Sequence, residues 1–164
     1  MDFNNVSDIN ENGFTGFKTI GSLWNDKTLI PKRKGIYLVL DQCGKPDFIN
    51  PGVGGFFKGK DPNVSLSELK ANYVPASLVV YIGKAGGPTS KATLYTRLGQ
   101  YLRFGQGKNV GHWGGRLIWQ LKNYRDLMIC WKTTSDNDPR EVEKLLIDSY
   151  MKQYGKRPFA NLVK

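Results

Sequence analysis

Histidine and cysteine are almost missing from this chain. His112 is the only imidazole in 164 residues, and the two cysteines, Cys43 and Cys130, stand far apart with no metal-ligand spacing around either. A His-based metal cluster, a Cys–His nucleophile pair and a disulfide framework are thereby excluded. No apolar run reaches membrane-spanning length and no secretory leader is read, so a reduced, cytoplasmic protein is expected. Cys130, within Leu127-Met128-Ile129-Cys130-Trp131, reads as a buried strand residue. No Gly-Lys-Ser/Thr triplet closes the loop Gly83-Lys84-Ala85-Gly86-Gly87-Pro88. It reads as a strand-to-helix connection and not as a phosphate-cradling P-loop.

Acidic side chains are missing from one long region. From Leu69 to Arg125 there is no Asp or Glu, while the same stretch carries nine bases: Lys70, Lys84, Lys91, Arg97, Arg103, Lys108, Arg116, Lys122 and Arg125. The whole chain has 24 Lys and Arg against 14 Asp and Glu, a net charge of +10. A field of one sign over the middle of a protein suits a phosphate-tracking surface, whereas ordinary surfaces intersperse both signs. A polyanion, nucleic acid first among them, is the expected partner. The length suits one compact domain with one core.

Residues 1–31 read as an extension packed on a domain of residues 32–164. Its first dozen residues, Met1 to Asn12, are polar and acidic and are expected to be mobile; Phe14, Phe17, Ile20, Leu23 and Trp24 are expected to dock. Gly35-Ile36-Tyr37-Leu38-Val39-Leu40 and Leu78-Val79-Val80-Tyr81-Ile82 are continuous apolar runs, hence buried strands. Residues 41–77 between them form a Gly- and Pro-rich insertion with one weak helix around Ser65 to Asn72. A helix is expected from about Thr89 to Phe104, ended by Gly105, with Leu94, Leu98, Tyr101 and Leu102 on its apolar face. Arg97 sits at the edge of that face, able either to reach over the sheet or to lay its stem on apolar surface with its head in water. The glycine-rich segment Gly111 to Arg116 can line a substrate groove. His112 within it suits either a phosphate contact and proton transfer or a purely structural bond. Leu117 to Leu121 reads as a short helix and Leu127 to Trp131 as a third strand.

The last helix has the clearest boundaries. Asp138-Pro139-Arg140-Glu141 combines an N-cap Asp, a Pro at the first helical position and a Glu placed for a capping box; Gly155 marks the end. At about 100° per residue, Glu143 shares its stripe with Leu146, Ile147, Tyr150 and Tyr154, while Glu141, Lys144, Asp148 and Lys152 face elsewhere. A carboxylate turned toward a core is costly unless paired, hydrogen-bonded or bound to a cation. Glu143 is therefore a metal ligand, half of a catalytic pair, or a salt-bridge partner of one of the bases.

Gly35-Ile36-Tyr37, Tyr81-Ile82-Gly83, Arg97, Glu143 and Asn161 together, in this order, resemble the GIY-YIG nuclease superfamily over residues 32–164, roughly four-fifths of the chain. The resemblance implies an α/β (α+β) fold, with a small three-stranded antiparallel sheet flanked by helices and an insertion between the two motif strands. It implies catalytic roles for Tyr37, Tyr81, Lys84, Arg97, Tyr101, Glu143 and Asn161, with Glu143 holding one Mg²⁺ or Mn²⁺ against the leaving oxygen. Tyr101 stands where relatives have histidine or tyrosine. In this reading Arg97, aided by Lys84, stabilises phosphoryl charge, Tyr37 helps deprotonate the water and Tyr81 orients it. A phenol of pKa about 10 serves as a base only if nearby cations depress it.

The implied activity is metal-dependent endonuclease cleavage of DNA, with Lys84, Lys91, Arg103, Lys108, His112 and Arg116 as nucleic-acid contacts. A catalytically silent nucleic-acid-binding module on the same fold, or an RNA-directed nuclease, is the alternative. Both a monomer and a homodimer are compatible with the sequence.

Overall fold

The computed structural model describes residues 1–162. A four-stranded antiparallel sheet in the order β1-β4-β2-β3 forms its middle, with β1 Thr15–Thr19, β2 Gly35–Leu40, β3 Val79–Ala85 and β4 Met128–Thr133. Among the described residues there are five α-helices: α1 Val6–Glu11, α2 Ile20–Asn25, α3 Leu66–Asn72, α4 Leu94–Phe104 and α5 Pro139–Tyr154. The fold is α/β. No helix among the described residues is long and apolar enough to cross a membrane.

The three strands expected from sequence are present, but the sheet has a fourth. Thr15–Thr19 pairs with β4, with Thr15 opposite Trp131 and Thr19 opposite Met128. A register shift falls between Thr15 and Lys18, where Gly16 (φ 98°) and Phe17 (φ 47°) leave the extended region. That bulge breaks the alternation by which a strand is read from sequence. The first dozen residues also depart from the expectation of mobility. Asn5 caps α1 by accepting from the Asp8 N–H at 3.1 Å, and Phe3 and Ile9 are fully buried. The Phe3 ring meets Tyr150 of α5 edge-on at 5.1 Å.

Every residue of β2 is buried because the sheet is covered on both faces, which explains its unbroken apolar run. Tyr37 and Val39 pack with Leu94, Leu98, Tyr101 and Leu102 of α4. Ile36, Leu38 and Leu40 pack with Tyr150 of α5 and with the N-terminal Phe3, Ile9 and Phe14. The helix α4 starts at Leu94 rather than Thr89. Its N-cap is Thr93, and a capping box closes between Thr93 and Thr96, since the Gly86-Gly87-Pro88 turn lengthens the preceding loop. On α5 the Asp138 carboxylate caps by accepting from the Arg140 N–H at 3.0 Å, with Pro139 at the first turn.

One buried amide ties two points of the insertion to the domain. Gln120 accepts from the Val64 N–H at 2.9 Å and donates to Val64 O at 3.0 Å and Ile49 O at 3.4 Å. Its own backbone carbonyl accepts from the Ile49 N–H. The 41–77 segment is thereby held against the 3-10 helix Arg116–Gln120.

Candidate functional site

β3 is an edge strand, and this position creates the site. Helices from the two faces of the sheet reach past that edge into one cleft of about 1120 Å³. Lys84 of β3, Arg97 of α4, Arg116, Glu143 of α5 and Arg157 line it, with Tyr81 and Trp113. Four cationic side chains thus surround the one carboxylate among the described lining residues.

The inner wall is a cluster of phenols. Tyr37, Tyr81 and Tyr101 have ring centroids 5.9, 6.0 and 5.7 Å apart, and Tyr37 and Tyr101 are fully buried. Tyr37 lies opposite Gly83 in the β2–β3 register, and its ring fills the place a side chain at Gly83 would take. The glycine of Tyr81-Ile82-Gly83 therefore admits the tyrosine of Gly35-Ile36-Tyr37. Gly35 has the same function against β4, where a Cβ would overlap the Lys132 carbonyl.

The loop of residues 111–115 closes over these rings. Tyr101 donates its hydroxyl to Gly115 O at 2.9 Å, and Gly115 holds φ 73°, which a side chain rarely adopts. A Cβ there would sit 2.7 Å from the Tyr101 hydroxyl. His112 is completely buried, its ring 4.3 Å from that of Tyr101 and its Nε2 3.4 Å from the Tyr37 hydroxyl. Burial, then the Arg97 charge, hold the imidazole well below its ordinary pKa, so it is neutral. The imidazole Nε2 and the Tyr37 hydroxyl lie within hydrogen-bonding distance, and which of them donates depends on the tautomer. His112 thus belongs to the site's inner wall and not to its surface.

The condition for Tyr37 to act as a base, a phenol pKa depressed by nearby cations, is not met by the protein's own groups. Burial raises its pKa well above 10, with Tyr81 and Glu143 adding to the rise and Arg97 opposing it. Tyr81 is pushed up to about 12 by burial and then by the Glu143 charge, again against Arg97. Tyr101 is raised too, burial first. All three phenols keep their protons at neutral pH, and they serve as hydrogen-bonding groups.

Arg97 is half-buried and donates to Gly111 O at 3.2 Å and Gln100 Oε1 at 3.3 Å, which holds its guanidinium at the cleft. Asn161 lines the cleft, and its carboxamide is engaged by the β3 backbone. Its Oδ1 accepts from Ile82 N at 2.8 Å and its Nδ2 donates to Ile82 O at 2.8 Å. With Ala160 N donating to Val80 O at 2.9 Å, the chain end completes the free edge of β3. Lys91, Arg103 and Lys108 are exposed and do not line the cleft. Arg157, in the loop after α5, does line it and was not singled out from sequence. Its signal was a base between the Gly155 cap and Pro158-Phe159-Ala160-Asn161.

Among the described residues no group of three or more His, Cys, Asp or Glu gathers to hold a metal. Glu143 is the one carboxylate among the described lining residues, so a Mg²⁺ ion there would take most of its shell from water and substrate phosphate oxygens. No protein-family model, curated protein or solved structure matches this chain.

Proposed function

We propose that this cleft hydrolyses phosphodiester bonds in DNA, as an endonuclease of the GIY-YIG type. One observation above all supports this: Lys84, Arg97, Arg116 and Arg157 converge on a cleft lined by Glu143 and Tyr81, with Tyr37 packed edge-on behind Tyr81. Attack of water on phosphorus builds negative charge on the phosphoryl oxygens and on the ester oxygen that leaves. Arginines fixed by backbone carbonyls, as Arg97 is by Gly111, meet that charge without reorganising. Glu143 would hold a Mg²⁺ or Mn²⁺ ion, which supplies positive charge for the leaving oxygen.

Tyr81, facing the cleft, donates its hydroxyl to water or phosphate. Tyr37 and His112 behind it form the second layer that fixes its ring. The expected base role of Tyr37 is replaced by a positioning role, since its phenol is sealed from the cleft by Tyr81 and Tyr101. The water proton then passes to solvent as the P–O ester bond breaks, and the leaving oxygen takes up a proton in its turn.

The sealed phenols also favour a second reading, a nucleic-acid-binding module without chemistry. Incubation of supercoiled and branched DNA with Mg²⁺, Mn²⁺ or EDTA separates the two. Metal-dependent nicking that Glu143→Ala abolishes supports the endonuclease; salt-sensitive binding without nicking supports the module.

A further inference from the structure

We infer that Trp113, with Arg116 stacked on it, is a platform for an unpaired nucleobase, so that the cleft takes DNA with a single-stranded portion in preference to continuous duplex. This deepens the nucleic-acid reading of the same cleft and rests on it.

Phosphate recognition alone needs cations, and Lys84, Arg97 and Arg157 supply them. It gives no reason for an indole on the wall. Trp113 is half-buried, packed against the core, and still lines the cleft. The Arg116 guanidinium lies 4.6 Å from the indole centroid. The Arg116 Nε is buried without a hydrogen-bond partner among the described residues, so the guanidinium is held beside the ring by packing and cation–π attraction. The guanidinium lying over the indole presents its own flat, charged face, on which a base stacks beside its phosphate, and stacking of this kind tolerates any base sequence.

Size and shape point the same way. At about 1120 Å³ the cleft is at the top of the size range of ligand sites, roughly 1,000 Å³, with room for a nucleotide. Ile147, Leu162, Ala85 and Ala92 add apolar wall area between the charges. That wall suits the flat face of a base. A base inside a duplex reaches such a wall only by leaving its stack, which costs least where it is already unpaired.

The experiment uses the full chain in EDTA, so that its outcome is independent of cleavage. Anisotropy titrations compare blunt duplex DNA, duplex with a single-stranded tail, single-stranded DNA and single-stranded RNA, for wild type, Trp113→Ala and Trp113→Phe. Wild type is expected to bind tailed and single-stranded DNA about tenfold tighter than blunt duplex. Trp113→Ala is expected to lose about tenfold on the unpaired substrates, the value of one stacked base, and to change little on blunt duplex. Trp113→Phe, which keeps a ring and the fold, is expected to retain most of the preference. Intrinsic fluorescence should be quenched by single-stranded DNA in wild type and much less in Trp113→Phe, a readout that stands even if Trp113→Ala does not fold.

Equal affinity for tailed and blunt DNA, a preference that survives Trp113→Ala, or equal quenching in wild type and Trp113→Phe would each overturn the inference. Trp113-dependent binding of RNA but not DNA would overturn the assignment to DNA. Trp113-dependent binding with no cleavage under any metal would leave the platform standing and remove the endonuclease. Cleavage that is blind to Trp113 and to unpaired strands would do the reverse.

Discussion

Gly83 faces Tyr37 across the β2–β3 pair, and the tyrosine ring occupies the space that any side chain at position 83 would need. Gly83→Ala is expected to force Tyr37 off its rotamer and to destabilise the domain by about 1–3 kcal/mol, the usual cost of overpacking. Urea unfolding measures this. A loss below about 0.5 kcal/mol would mean that the tyrosine wall is loosely packed.

His112 gives the fold a defined acid sensitivity. Its pKa is lowered well below 6.5 in the folded protein. Below pH of about 6.5 the unfolded chain binds a proton that the native state does not, so stability is full above that pH and falls beneath it. The slope reaches at most about 1.4 kcal/mol per pH unit until the folded-state pKa is passed. Denaturant titrations between about pH 7 and pH 5 are expected to show this component in wild type and to lose it in His112→Gln. That variant is also expected to be less stable at neutral pH, since it loses the stack on Tyr101.

Tyr81 and Glu143 are electrically coupled. The carboxylate is the second cause, after burial, of the rise of the Tyr81 phenol to about 12. Glu143→Gln removes that negative charge, so the Tyr81 pKa is expected to fall toward 10. Ultraviolet titration of tyrosinate, with Tyr81→Phe to assign the shifting group, measures it. No change in the alkaline titration would place Glu143 out of electrostatic reach of Tyr81.

Arg157 should behave as a cleft phosphate contact, and Arg103, exposed at the end of α4 and off the cleft, should not. Arg157→Ala is expected to weaken DNA binding and to reduce the slope of log affinity against log salt by about 1. Arg103→Ala is expected to alter both by less. Equal effects would indicate a diffuse basic surface in place of a cleft.

Much of the fold was legible because its signals are local. The apolar runs at 35–40 and 78–82 are buried on both faces, and the Asp138-Pro139 start and Gly155 stop bound α5 as read. The strand β1 was not legible, because its bulge at Gly16 and Phe17 destroys the alternation and its partner β4 is more than a hundred residues away. The helix α1 was hidden in a polar segment whose buried apolar anchors, Phe3 and Ile9, find their partners on α5 and β2. At the site, residue types and order named Tyr81, Lys84, Arg97, Arg116, Glu143 and Asn161, all of which line one cleft. Sequence could not reveal that Tyr37 is sealed behind Tyr81, that Asn161 is spent on Ile82, or that His112 turns inward, since each depends on the loop of residues 111–115 and the chain end folding over β3.

The most direct measurement is cleavage of supercoiled and branched DNA by purified protein with Mg²⁺, Mn²⁺ or EDTA, for wild type and Glu143→Ala. Wild type is expected to nick DNA in a metal-dependent way, the variant at least about a hundredfold less, with DNA binding in EDTA retained. Cleavage unaffected by Glu143→Ala, or salt-sensitive binding with no cleavage of any substrate, would contradict the endonuclease reading.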